Sequence, residues 1–434
     1  MKNQKQNISK EFFRYICPSM LSMLLVGFYG IVDGFFIGQS LGDNGLAAVN
    51  LAWPLLVAIT AIGTGIGTGG AIVMSLKSGA GETEKAKRAE GNTFTLLCMI
   101  SVLLMLIFIV IADDVLKVLG ADGIIFDYAM DYTQIITYGI IFQVIGAGIT
   151  PIIKNLGKPV FAMITMVIGM VTNIILDAVF LLVFDMGLMG IALATCTAQA
   201  VVSILGIVVI IKSGFERKWL ILDKTTVFDT LKIGGSPFGL TFAPAVVTIC
   251  TNYQCLNYGG SATVAAYTVM TYGAYVIYSL LQGVADGVQP LISFYKGAGS
   301  IELLHEIIKR TIIFCAVLCV ALIGLTVTSK DVFPILYGAS PEVAGVASKA
   351  MLFVALSIPF IAVTRIMSAY FYATGDNKNA TILVYTDPLL FTPIFLLTLP
   401  KFIGVVGIWL TYPCTQASTS ALSILLNKLK KQVA

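Results

Sequence analysis

Four oxygen-bearing side chains interrupt otherwise apolar stretches: Asp33, Asn173, Asp177 and Thr195. Asp33 sits in GFYGIVDGFFIGQS (Gly27–Ser40), and Asn173 and Asp177 sit in NIILDAVFL. A carboxylate at bilayer depth is costly, so an intramembrane acid marks a site or a partner. If both helices run outward, Asp33 lies about six residues, roughly 9 Å, short of its outer end. Asp177 lies about eight residues before Asp185, at similar depth. Asn173 is one turn deeper on the face of Asp177, and Thr195 is near that level on the next helix. Two carboxylates, an amide and a hydroxyl form an all-oxygen pocket of the kind that suits Na⁺. Neighbouring buried carboxylates repel, so the pocket equally suits a proton. The alternative is that each Asp only caps a bend or bonds a nearby Ser or Thr.

Other polar residues in apolar runs suggest further roles. Asp286, with Gln282 one turn away, is a candidate for a substrate cavity. Tyr29 and Phe36 are candidates too, because aromatic faces attract apolar or cationic compounds. Arg365 stands about eleven residues before the turn at Asp376, and Asp387 eleven after it. Antiparallel neighbours place both at one depth, so a buried Arg365–Asp387 ion pair is expected, either structural or a switch.

The elements carrying these residues must be membrane helices. The 434 residues have a mean hydropathy of +0.92, 57% hydrophobic and 12% charged residues. About 20 apolar residues cross a bilayer. Twelve spans are expected near 12–39, 46–76, 92–112, 128–153, 159–184, 187–211, 231–257, 262–292, 309–329, 346–374, 379–399 and 403–428. With the N-terminus inside, 22 of the 27 Lys and Arg fall on inner segments and four on outer loops. That bias predicts both termini in the cytoplasm. The polar, basic start MKNQKQNISKEFFR predicts no removable signal peptide.

The chain repeats at a shift of 218. TGIGTGGAIVMSLKSGAGETE (Thr64–Glu84) lies over QGVADGVQPLISFYKGAGSIE (Gln282–Glu302), Gly42 over Gly260, and Gly157 over Gly375. At a shift of 217, GLMGIAL (Gly187–Leu193) lies over GVVGIWL (Gly404–Leu410), and Gln199 over Gln416. Six spans per half is an even number, so the repeats are parallel. An N-lobe of 1–218 and a C-lobe of 219–434 follow, with Lys212–Lys232 as an interfacial linker. Transporters built from such repeats commonly bind substrate between the halves and alternate access.

Enzyme chemistry has little support, since no Walker-type, HExxH or metal-spaced Cys/His pattern occurs. The eight cysteines lack CxxC spacing and read as small buried hydrophobes. A formal net charge of +4 follows from the inner loops and calls for no nucleic acid.

Together, IVDGFFIGQSLGDNGLAAV, SLKSGAGETEKA, NIILDAVFL, QGVADGVQPLISFYKGAG and AYFYATGDNK resemble multidrug and toxic compound extrusion (MATE) transporters, in their MepA- and DinF-like bacterial branch. The resemblance spans essentially the whole chain. It implies an all-α integral membrane protein of twelve helices in two parallel six-helix repeats. It implies export of amphipathic, cationic drugs or metabolites in exchange for H⁺ or Na⁺, with no other cofactor. It places the chain in the plasma membrane of a prokaryote, as a monomer in the lipid bilayer. Asp33, Asn173, Asp177 and Thr195 match the family's N-lobe cation-binding residues. TDPLLFTP (Thr386–Pro393) departs from the family, lacking the basic and amide residues expected before its last proline. No C-lobe cation site is therefore carried over. The alternative within the superfamily is a lipid-linked oligosaccharide flippase, whose pyrophosphate cargo calls for basic residues. The apolar spans instead hold Asp33, Asp177, Asp286 and Asp387 against one Arg365.

Overall fold

The computed structural model describes the backbone of residues 2–336 and 339–433. It describes their side chains except those of 2–7, 28, 29, 31, 35, 39, 43, 261, 336 and 430–433. No strand occurs among the described residues. The first half contributes α1 (Ile8–Gly38), α2 (Asn44–Gly79), α3 (Thr83–Val118), α4 (Gly123–Asn155), α5 (Pro159–Val183) and α6 (Gly187–Lys212). The second contributes α7 (Lys224–Gly260), α8 (Ala262–Gly297), α9 (Ile301–Ser329), α10 (Pro341–Ala373), α11 (Asn377–Ile403) and α12 (Val405–Val433).

The first eleven are long and apolar enough to cross a membrane. The twelfth has 29 residues, about 43 Å of helix, but is rich in Thr and Ser. Those hydroxyls face inward. Thr411, Thr415, Thr419, Ser420 and Ser423 are buried, and Ser420 Oγ donates to the Phe360 carbonyl of α10 at 2.7 Å. Hydrogen bonds between helices replace apolar contact there, because lipid offers no competing partner. The chain is a multi-pass membrane protein.

The repeat is visible in the backbone. Helix continues from Lys2 to Gly79 except at Gly42 (φ 60°, ψ −152°). Its repeat partner Gly260 breaks the run Lys224–Gly297 in the same way (φ 66°, ψ −165°). Only glycine tolerates this conformation without strain. The positive-φ pairs Gly81/Gly299, Gly157/Gly375 and Gly187/Gly404 recur too, so the repeated glycines mark the turns that end helices.

Two compact units form, and their boundaries differ from those of the sequence halves. One comprises Phe13–Phe242 with Ser293–Gly299; the other comprises Met1–Phe12, Ala243–Ile292 and Ser300–Ala434. In the first, α4 packs on α3 and α6, and α5 packs on α6. The start of α7 belongs here because glycines let it approach α2. A Cβ on Gly65 would stand 2.9 Å from the Gly234 carbonyl and 2.9 Å from Phe238 Cβ. In the second unit, α10 packs on α9, α11 and α12. The start of α1 joins it through Phe12, whose ring meets Phe314 edge-on at 6.1 Å.

The linker docks on the α3 start instead of lying free. Asn92 Nδ2 donates to the Trp219 and Ile221 carbonyls (3.0 and 2.9 Å), and its Oδ1 accepts from Asp223 N at 2.6 Å. Buried Glu90 accepts from Lys87 Nζ (2.9 Å) and Ser213 Oγ (3.0 Å). Asp223 then caps α7 by accepting from Thr226 N at 2.9 Å. The Thr226 donors hold the Asp223 carboxyl below its ordinary range.

Candidate functional site

Asp33 of α1 and both Asn173 and Asp177 of α5 converge inside the first unit. Asn173 and Asp177 are completely buried and Asp33 is partly buried. With its amide oriented to satisfy both neighbours, Asn173 Nδ2 donates to Asp177 Oδ2 and Asp33 Oδ1, each at 3.0 Å. Yet Asp177 Oδ1 is buried without a donor. The amide thus bridges the two carboxyl groups and leaves one buried oxygen able to accept a proton or a cation.

Local sequence explains how the groups are held. Asn173 and Asp177 are four apart, so one face of α5 presents both. Immediately beyond, Val179–Val183 forms a single widened turn of helix. Such turns disturb regular hydrogen bonding and occur often at functional sites. Thr195 is buried on α6. Its neighbour Cys196 contacts the Ile135 carbonyl of α4 at 3.6 Å. The close approach uses Gly139, where any Cβ would collide with Cys196 Sγ.

Sequence reasoning missed Tyr132 on α4. This buried tyrosine lies within electrostatic range of Asp33, Asp177 and Cys196. No charge or repeat match singles it out among 17 tyrosines.

The other candidates lie elsewhere. The Tyr29 side chain is outside the described residues, and Phe36 is partly buried on α1. In the second unit, Gln282 Nε2 donates to Asp286 Oδ1 at 2.8 Å, while Gln282 Oε1 is buried without a partner.

The expected ion pair between Arg365 and Asp387 is not formed. Asp387 Oδ1 accepts from Thr392 Oγ1 at 3.0 Å, and Oδ2 accepts from Gln416 Nε2 at 2.8 Å. Arg365 instead lies over the Tyr278 ring, 5.6 Å from its centroid. Neutral donors occupy the carboxylate. Asp387 also opens the widened turn Asp387–Phe391, where Pro388 lacks an N–H. That turn brings Thr392 within reach of it. Gln416 had shown itself only as the repeat partner of Gln199.

Residues 18–179 and 240–391 match the MatE family, one segment in each half. The chain belongs to the MatE family. Multidrug export protein MepA of Staphylococcus saprophyticus subsp. saprophyticus is 23% identical to this MatE chain over 410 residues, covering 93% of it and 90% of the relative. An outward-facing multidrug resistance MATE family transporter of the MOP superfamily shares its fold, with a TM-score of 0.93 and 20% identity over 98% of this chain and 96% of that one. A mutant of the Vibrio cholerae MATE transporter VcmN superposes with a TM-score of 0.92 and 20% identity, over 100% and 99%. Membership makes this MatE protein a membrane transporter rather than an enzyme.

Proposed function

We propose that this chain is a secondary antiporter that exports amphipathic, cationic compounds in exchange for H⁺ or Na⁺. The observation that carries the reading is the Asp33–Asn173–Asp177 cluster, two carboxyl groups bridged by one amide with Asp177 Oδ1 buried and unmatched. The similar MepA proteins are named as multidrug exporters, which supports the cargo class.

From the cytoplasmic side, cargo enters while the carboxyl pair is at least partly ionised. After the site opens outward, H⁺ or Na⁺ enters the cluster and occupies the gap beside Asp177 Oδ1. Thr195 on α6 contributes its hydroxyl to that oxygen-rich surround. Neutralising the pair removes the repulsion between α1 and α5, and cargo leaves as α1 rearranges. One charge moving inward through 100 mV supplies about 2.3 kcal/mol, enough for roughly a fiftyfold gradient of a neutral cargo. The excess of Lys and Arg on alternate loops supports cytoplasmic termini in a prokaryotic plasma membrane.

Efflux of a lipophilic cationic dye from proteoliposomes, under an imposed proton or sodium gradient, tests the proposal. Export driven by either gradient supports it and names the ion. Failure of both gradients to move any such dye contradicts it.

A further inference from the structure

Arg365 lies inside the apolar run of α10, and it forms no hydrogen bond or ion pair among the described residues. A guanidinium cannot shed its charge at any physiological pH, and its donors are costly to leave unmatched at membrane depth. The expected partner, Asp387, has both oxygens bonded to Thr392 and Gln416. The guanidinium therefore keeps its planar donor fork while stacked on Tyr278. A second observation lies beside it. The Tyr412 ring meets Tyr278 edge-on at 5.7 Å, and the Tyr412 hydroxyl is buried without a partner. A positive fork, an aromatic platform and an unmatched hydroxyl thus occupy one place in the second unit.

We propose that Arg365, Tyr278 and Tyr412 form a subsite for the carboxylate of an aromatic, zwitterionic cargo. The guanidinium takes the carboxylate through paired N–H donors, the geometry for which arginine is suited and lysine is not. The Tyr412 hydroxyl donates to the same group, and the cargo's ring packs on the tyrosines. This rests on the exporter reading and narrows its cargo: the compound carries an acid as well as a positive charge.

The test uses the full chain in phosphatidylcholine nanodiscs and two dyes with one ring system. Rhodamine 110 bears a free carboxylate, and rhodamine 123 is its methyl ester. Binding by fluorescence polarisation should favour rhodamine 110 about tenfold, as expected for a charge-assisted pair. In Arg365→Gln that ratio should fall to about one, and in Arg365→Lys to an intermediate value. Thermal unfolding of each variant separates loss of the subsite from loss of the fold. Equal affinity for both dyes, no binding of rhodamine 110, or a ratio unchanged in a folded Arg365→Gln overturns the proposal. Nanodiscs containing phosphatidylglycerol distinguish a lipid source of the anion. Competition by that lipid in wild type but not in Arg365→Gln would assign the site to a headgroup and overturn the cargo assignment. Dye export from proteoliposomes is scored separately. Gradient-driven export without preference for the acid leaves the exporter reading standing alone. An Arg365-dependent preference without export leaves the subsite standing alone.

Discussion

Asp33 of α1 and Asp177 of α5 are joined through one amide, with Asn173 Nδ2 3.0 Å from an oxygen of each. The arrangement holds two carboxyl groups together while leaving Asp177 Oδ1 without a donor. The bridge joins a partly exposed residue of α1 to two fully buried residues of α5.

Asn173→Ala removes the bridge but keeps both acids. The carboxyl pair then lacks its shared donor, and loss of a hydrogen bond to charged groups costs about 1.5–3 kcal/mol. Gradient-driven efflux should fall by at least about tenfold while the protein still reaches the membrane. Efflux at the wild-type rate would show that the amide is dispensable.

Glu90 and Lys87 test the linker lock. Removing one partner of a buried pair costs about 3–5 kcal/mol because the other charge is left behind. Lys87→Met should therefore lower the thermal midpoint more than Glu90→Gln, which leaves an uncharged group bonded to Ser213. The order of the two midpoints decides the matter.

Gly42→Ala isolates backbone strain, because no atom would meet the new methyl within 4 Å. At φ 60°, ψ −152° the cost is about 1–3 kcal/mol. Gly260→Ala should cost a similar amount, since its repeat position adopts the same geometry and is equally open. Unfolding in detergent measures both, and a neutral result at either site would show that the joint relaxes.

Gly69→Ala should be worse than either. Its Cβ would collide with the Thr230 carbonyl of α7 and come within 2.9 Å of Gly234 Cα. Overpacking costs about 1–3 kcal/mol where backbone cannot yield. Reduced stability with α7 amides exchanging faster is expected; unchanged exchange would contradict the close approach.

Much of this was legible beforehand, for physical reasons. Bilayer thickness fixes span length, so the helices could be counted from hydropathy. The glycine matches revealed the repeat, and the positive φ shared by Gly42 and Gly260 became visible only in the backbone. The i, i+4 spacing put Asn173 and Asp177 together, and equal depth brought Asp33 to them. Contacts that depend on packing were less visible. Depth alone suggested that Arg365 would pair with Asp387, but a widened turn supplied Thr392 and α12 supplied Gln416. Nothing in the sequence marks Asn92 and Glu90 as the residues that hold the linker. Helix ends were also placed short, as with α3, which continues to Thr83 and Val118 through charged turns outside the apolar run.

The central claim is that Asp33 and Asp177 share the site of the coupling ion. Dye efflux under the driving gradient should be compared for wild type, Asp33→Asn, Asp177→Asn and the double variant, with dye binding measured on each. The account predicts that either single change abolishes coupled efflux, that the double change adds nothing further, and that binding persists. Coupled efflux at the wild-type rate in either single variant would contradict it.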